Sequence, residues 1–110
     1  YYMIASVHSA LGEYAPAFQA LNQALAYDRL LERSPAIAMD LAALGALYEK
    51  TGDAENALEH YHRGFQVYRS ISMNEKASRL LALLIELAER TGRAEEAKRY
   101  RRLQAELGGG

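Results

Sequence analysis

The sequence predicts an all-α fold of three tandem helix-turn-helix units, on three observations. Gly12, Gly52 and Gly92 recur at intervals of 40 residues, and each is followed five positions later by an alanine: Ala17, Ala57 and Ala97. The match spreads between the second and third intervals, where Leu41/Leu81, Ala42/Ala82, Leu44/Leu84, Leu47/Leu87, Glu49/Glu89, Thr51/Thr91, Ala54/Ala94 and Glu55/Glu95 are identical at the same shift. Within a period, apolar residues fall at three- and four-residue spacing, as in Ile37, Leu41, Leu44 and Tyr48, then Ala57, Leu58, Tyr61, Phe65 and Tyr68. That spacing is the stripe of an amphipathic helix.

Taken in chain order, the pattern places helices near 1–10, 14–31, 35–50, 54–70, 75–90 and 94–107, two to each unit. Gly52 stands where a first helix should end in a left-handed turn, a conformation only glycine enters cheaply, and Asp53 is suited to cap the next helix with its carboxylate. Ser34-Pro35 supplies a cap followed by the residue favoured at a helix's first position, and Asn74-Glu75 lies one period later with an equivalent cap. The units run over about 1–34, 35–74 and 75–107 of a single domain covering 1–110, with Gly108–Gly110 expected as a flexible tail. The tyrosines, Tyr14, Tyr27, Tyr48, Tyr61, Tyr68 and Tyr100 among them, are expected in core and inter-unit packing.

Composition narrows the classes of function. Half of the residues are apolar and a quarter charged, which describes a globular chain. A formal charge of −1 provides no broad field for nucleic acid or an anionic surface. The absence of cysteine excludes disulfides and thiolate metal sites, and fits a reducing compartment such as the cytoplasm. No apolar run reaches the roughly 18 to 20 residues that span a bilayer. The chain opens at Tyr1, inside an expected helix and without Met, so the lack of a leader says nothing about export.

The second unit reads Leu41-x-x-Leu44-Gly45-x-x-Tyr48 and then Ala57-x-x-x-Tyr61. It resembles the tetratricopeptide repeat signature, with Leu in the Trp position and Tyr in the Phe position. The small Gly45 and Ala57 suit the point where two helices of a unit cross, with Leu41, Leu44, Tyr48 and Tyr61 filling the space around it. The family's period is about 34 residues, and the surplus here is assigned to longer second helices. The resemblance implies a right-handed α-superhelix whose first helices line a concave face and whose function is to bind a protein or peptide. Carried over position by position, the implied groove residues are Tyr2, Ser6 and Ser9 in unit one, Met39, Ala42, Ala46, Glu49 and Lys50 in unit two, and Arg79, Ala82, Glu86, Glu89 and Arg90 in unit three. Family members that grip a C-terminal carboxylate use Lys and Asn on successive turns of the first groove helix. Tyr2 and Ser6 stand there instead, which argues against that ligand. A segment of mixed charge with an apolar stretch suits the groove better.

No catalytic constellation, cofactor site or metal site is expected, and the chain reads as a non-enzyme. His60 and His62 are two residues apart, roughly 200° around a helix, and cannot converge on one ion. The Glu pairs follow from the repeat itself, and no nucleophile motif or phosphate-cradling loop is present. Lys98, Arg99, Arg101 and Arg102 on the last helix make RNA a minor alternative partner, although Glu95, Glu96 and Glu106 offset them. Arg101 and Gln104 give that helix the polar outer face of a terminal cap. No such cap precedes Tyr1, Met3, Ile4 and Val7, so the chain is expected to be a fragment of a larger protein. Self-association through helix 1–10 is the second expectation for its function.

Overall fold

The computed structural model describes residues 14–109. They form five helices: α1 (Tyr14–Leu30), α2 (Ser34–Lys50), α3 (Ala54–Ser70), α4 (Asn74–Arg90) and α5 (Ala94–Gly109). Among the described residues there is no strand. Each helix packs on the next in chain order, and the slab they build measures 39 × 33 × 16 Å. The all-helical tandem architecture is therefore as expected. Helix 1–10 and Gly12 lie outside the described residues. Of the three glycines expected as a tail, Gly108 and Gly109 continue α5, and Gly110 lies outside the description.

Helices α1 to α4 each have 17 residues. The assignment of the surplus to second helices is thus corrected, because first and second helices share it equally. The reason lies in the corners, which all close alike. Arg33 N donates to Asp28 O at 2.9 Å, Asp53 N to Tyr48 O at 2.9 Å, Met73 N to Tyr68 O at 2.9 Å and Arg93 N to Ala88 O at 2.7 Å. This is the long bond of a Schellman helix end, which places one residue in the left-handed region. Those residues are Glu32 (φ 54°), Gly52 (φ 82°), Ser72 (φ 62°) and Gly92 (φ 76°).

Sequence reading finds the glycine corners and misreads the other two. Ser34 and Asn74 are not N-caps: they are the first residues of α2 and α4. The cap positions belong to Arg33 and Met73, neither of which makes a side-chain cap bond. The next helix instead starts on the carbonyl that follows the left-handed residue, with Ile37 N bonded to Arg33 O at 2.9 Å and Ala77 N to Met73 O at 3.0 Å. Backbone geometry at the end of one helix therefore sets the start of the next, and Glu32 and Ser72 adopt it at a cost of about 1–2 kcal/mol each.

Asp53 does cap α3. Its Oδ1 accepts from Asn56 N at 3.1 Å and its Oδ2 from Asn56 Nδ2 at 2.7 Å. The Asn56 side chain, then its backbone N–H, hold the Asp53 carboxyl below its ordinary 3.8. A lowered carboxyl contributes stability that is present above the ordinary value and lost as pH falls through the folded one. Asp53→Ala should accordingly melt a few degrees lower than the parent at pH 7, and the gap should close on acidification below 3.8. Equal melting at neutral pH would show that the cap contributes nothing.

Two clusters make up the interior. Ala17, Ala20, Leu21 and Leu25 of α1 meet Leu41, Leu44 and Leu47 of α2. Phe65 and Tyr68 of α3 join Leu81 and Leu84 of α4 and Ala97 of α5 in the other. Tyr48 bridges α1 and α3, its ring centroid 4.7 Å from Phe18 and 4.9 Å from His60. The expected crossing of α2 and α3 is present. Ala57 is fully buried, and a Cβ on Gly45 would stand 2.7 Å from Tyr61 Cδ1. Gly64, which sequence reading passed over, makes a second close approach, since its Cβ would lie 3.2 Å from the Ala38 carbonyl oxygen. Among the tyrosines, Tyr61 and Tyr68 are buried and Tyr14, Tyr48 and Tyr100 half-buried. Tyr27 departs from expectation: it is 57% exposed, with the Arg33 guanidinium 5.9 Å from its ring centroid.

Candidate functional site

Helices α2, α3 and α4 together line a cavity of about 350 Å³ formed by Met39, Asp40, Ala42, Ala43, Ala46, Tyr61, Tyr68 and Leu83. Its position follows from helix geometry. Met39, Ala42, Ala43 and Ala46 share one face of α2 because three- and four-residue steps return to the same side. Three of the four are alanines, so the face is hollow, and the buried Tyr61 and Tyr68 of α3 line it from the neighbouring helix. Met39 and Leu83 stand as exposed apolar flanks on α2 and α4.

Of the residues expected in a groove, Met39, Ala42 and Ala46 line this cavity. Glu49 lies further along α2 and is engaged within the chain: Tyr61 Oη donates to its Oε1 at 2.9 Å and Arg90 Nη2 donates to its Oε2. Arg90 also approaches Glu86, at 3.7 Å. Burial and then the Glu49 carboxylate raise the Tyr61 phenol above its ordinary range. Glu49 and Arg90 border a second hollow of about 360 Å³ with Gly52, Ala54, Leu87 and Thr91. Glu89 turns toward α5 and pairs with Arg101, the counterpart of the Glu49–Tyr61 contact one period later. Arg79 pairs with Glu75 of its own helix at 3.0 Å, while Lys50, Ala82 and Glu86 are exposed outside the cavity. Tyr2, Ser6 and Ser9 lie outside the described residues.

Sequence reasoning missed Asp40, Ala43, Tyr61, Tyr68 and Leu83 as lining residues. A signal existed for two of them, since Ala43 and Leu83 are one period apart and adjoin the matched pair Ala42/Ala82. Asp40 carried no such signal. Burial, then a side-chain hydrogen bond with the neighbouring Asp28 carboxyl of α1 and its charge, push the Asp40 carboxyl up to about 7, and among the described residues no N–H or hydroxyl group donates to its buried Oδ2.

The histidines do not converge. His60 Nδ1 lies 2.8 Å from the Asn56 carbonyl oxygen. His62 sits between Phe65 and Tyr100, with ring centroids 6.1 and 6.0 Å away, and burial lowers its pKa. Among the described residues, no group of three or more metal-ligating side chains comes together, and no helix is long and apolar enough to cross a membrane. On α5, Lys98 approaches Glu95 at 3.7 Å and Arg101 is tied to Glu89.

Comparison with known proteins points the same way as the Leu-x-x-Leu-Gly-x-x-Tyr spacing on α2. A family model described as Tetratricopeptide repeat matches residues 1–29. The chain is also 33% identical over 81 residues to Tetratricopeptide repeat protein 29 of Trypanosoma brucei brucei, an alignment covering 74% of this chain and 17% of that protein.

Proposed function

Because the chain belongs to the tetratricopeptide repeat family, we propose that it holds a segment of another protein in the hollow bordered by α2, α3 and α4. Repeats of this family are generally protein-interaction scaffolds. The observation that carries the reading is the alanine-lined cavity on the face of α2 where the resemblance implies a groove. An apolar hollow with one carboxyl side chain, Asp40, in its lining has the make-up of a peptide-binding groove, in which apolar contact supplies affinity and a polar group supplies orientation.

The reading is tested with random dodecapeptides displayed and selected on the full chain. Ala46→Trp and Ala42→Trp fill the cavity and should weaken the selected peptides about tenfold or more, the loss of one well-buried anchor. Ala82→Trp, outside the cavity, should matter less. Circular dichroism should show unchanged helicity in all three. Undiminished affinity across the three substitutions would remove the groove assignment.

A further inference from the structure

We propose that the Asp40 end of this groove receives the side-chain cation of a Lys or Arg carried by the bound segment, whose apolar residues lie along Met39, Ala43, Ala46 and Leu83. The inference rests on the groove reading above and adds the chemistry of the occupant.

Asp40 is the one carboxylate among the lining residues, and no described N–H or hydroxyl group donates to its buried Oδ2. Among the described residues, no cation answers its charge. Helix α1 contributes Asp28, whose carboxyl is hydrogen-bonded to that of Asp40 and adds a like charge, so the pair holds a proton that a cation could replace. Helix α3 contributes the phenols of Tyr61 and Tyr68, of which Tyr61 already donates to Glu49. Helix α4 contributes Leu83, and its Lys76 ammonium lies 5.8 Å from the centroid of the Tyr68 ring. Among the described residues, no Lys or Arg forms an ion pair with Asp28 or Asp40.

With its carboxyl at about 7, Asp40 is half-protonated near neutrality. A cation placed beside it would favour the ionised form and displace the proton. The neighbouring hollow further along α2 differs, because its Glu49 is already satisfied by Tyr61 and Arg90. Charge complementarity therefore gives the bound segment a direction, with its basic residue at Asp40.

Peptides from the selection above, acetylated and amidated so that only side chains carry charge, supply the probe. The enriched sequences should share one Lys or Arg beside an apolar stretch. Replacing that Lys by norleucine should weaken binding about tenfold, the scale of one charge-assisted contact. Asp40→Asn should weaken the parent peptide by a similar factor, and the two losses should not add. Affinity for the parent chain should rise between pH 6 and pH 8, since a carboxyl titrating near 7 is only about one-tenth ionised at pH 6, and the rise should vanish in Asp40→Asn. The Asp40 carboxyl carbon resonance should titrate at lower pH once peptide is bound. If Asp40→Asn does not fold, the norleucine comparison and the pH series on the parent chain decide alone. Enriched peptides without a basic residue, or with a norleucine variant that binds equally well, would overturn the cation site and leave the groove reading intact. Peptides insensitive to Ala46→Trp would overturn both.

Discussion

Valine at Gly45 is expected to destabilise the chain by about 3 kcal/mol, the upper part of the range for overpacking a well-filled interior. Alanine at the same position sets the scale of the opposing effects. It gains about 1 kcal/mol in helix propensity, yet its Cβ would lie 2.7 Å from Tyr61 Cδ1 and 2.9 Å from Cε1. The Tyr61 ring has little room to retreat, being 3% exposed with its hydroxyl bonded to Glu49. Valine adds two further methyl groups against the same ring, so overpacking wins. Urea unfolding of Gly45→Val should show the loss directly, and melting should fall by roughly 10 °C or more. Gly45→Val combined with Tyr61→Ala should cost less than the sum of the single changes, because the clash is removed with the ring. A melting point within two or three degrees of the parent would show that α2 and α3 do not approach as described.

Phe65→Ala should cost more, about 3–5 kcal/mol, the range for truncating a buried phenylalanine. Phe65 is 1% exposed and lies in the cluster that joins α3 to α4 and α5. Its neighbours include Leu81 and Leu84, themselves fully buried, so those sides of the space cannot collapse, although the Arg69 guanidinium, 6.0 Å from the ring centroid, covers another side. Set against a total stability of about 5–15 kcal/mol for a domain, this loss leaves a chain near its folding threshold. Urea titration followed by far-ultraviolet circular dichroism measures it. A loss under about 1 kcal/mol would mean that the cluster repacks freely.

The two positions also show how far the sequence could be read. Gly45 was visible because it stands inside the Leu44-Gly45-x-x-Tyr48 spacing opposite Ala57, and both are where that spacing puts them. Gly64 makes a second, less tight approach and was not visible, because the Ala38 carbonyl that it meets at 3.2 Å belongs to the backbone of a neighbouring helix and leaves no residue pattern. At the corners, Gly52 and Gly92 announced their left-handed turns, whereas Glu32 and Ser72 adopt the same turn from residue types that disfavour it. Local propensity pointed instead to Ser34 and Asn74 as caps, and the left-handed ends of the preceding helices overrode it. The cavity was partly legible for a similar reason. Its positions on α2 followed from the family resemblance, with which helix periodicity agrees, but Tyr61 and Tyr68 enter from α3, and the state of Asp40 depends on Asp28 in α1. Neighbours supplied by another helix are not encoded at a fixed sequence distance.

The equal helices and their three-residue corners bear on how the chain assembles. Each helix finds its packing partner immediately next in sequence, so closing the structure requires no long loop, and the entropic cost of each step is that of a very short one. Chains of such low contact order fold fast, and their stability approaches a sum over neighbouring interfaces. Helices α2, α3 and α4, each packed between two described neighbours, form the part most resistant to opening, while α5, packed mainly on α4 with Tyr100 against His62 of α3, is placed to exchange its amide hydrogens earlier. The cavity is built on these three helices, so the segment proposed to bind there would meet a surface that stays assembled while α5 opens and closes.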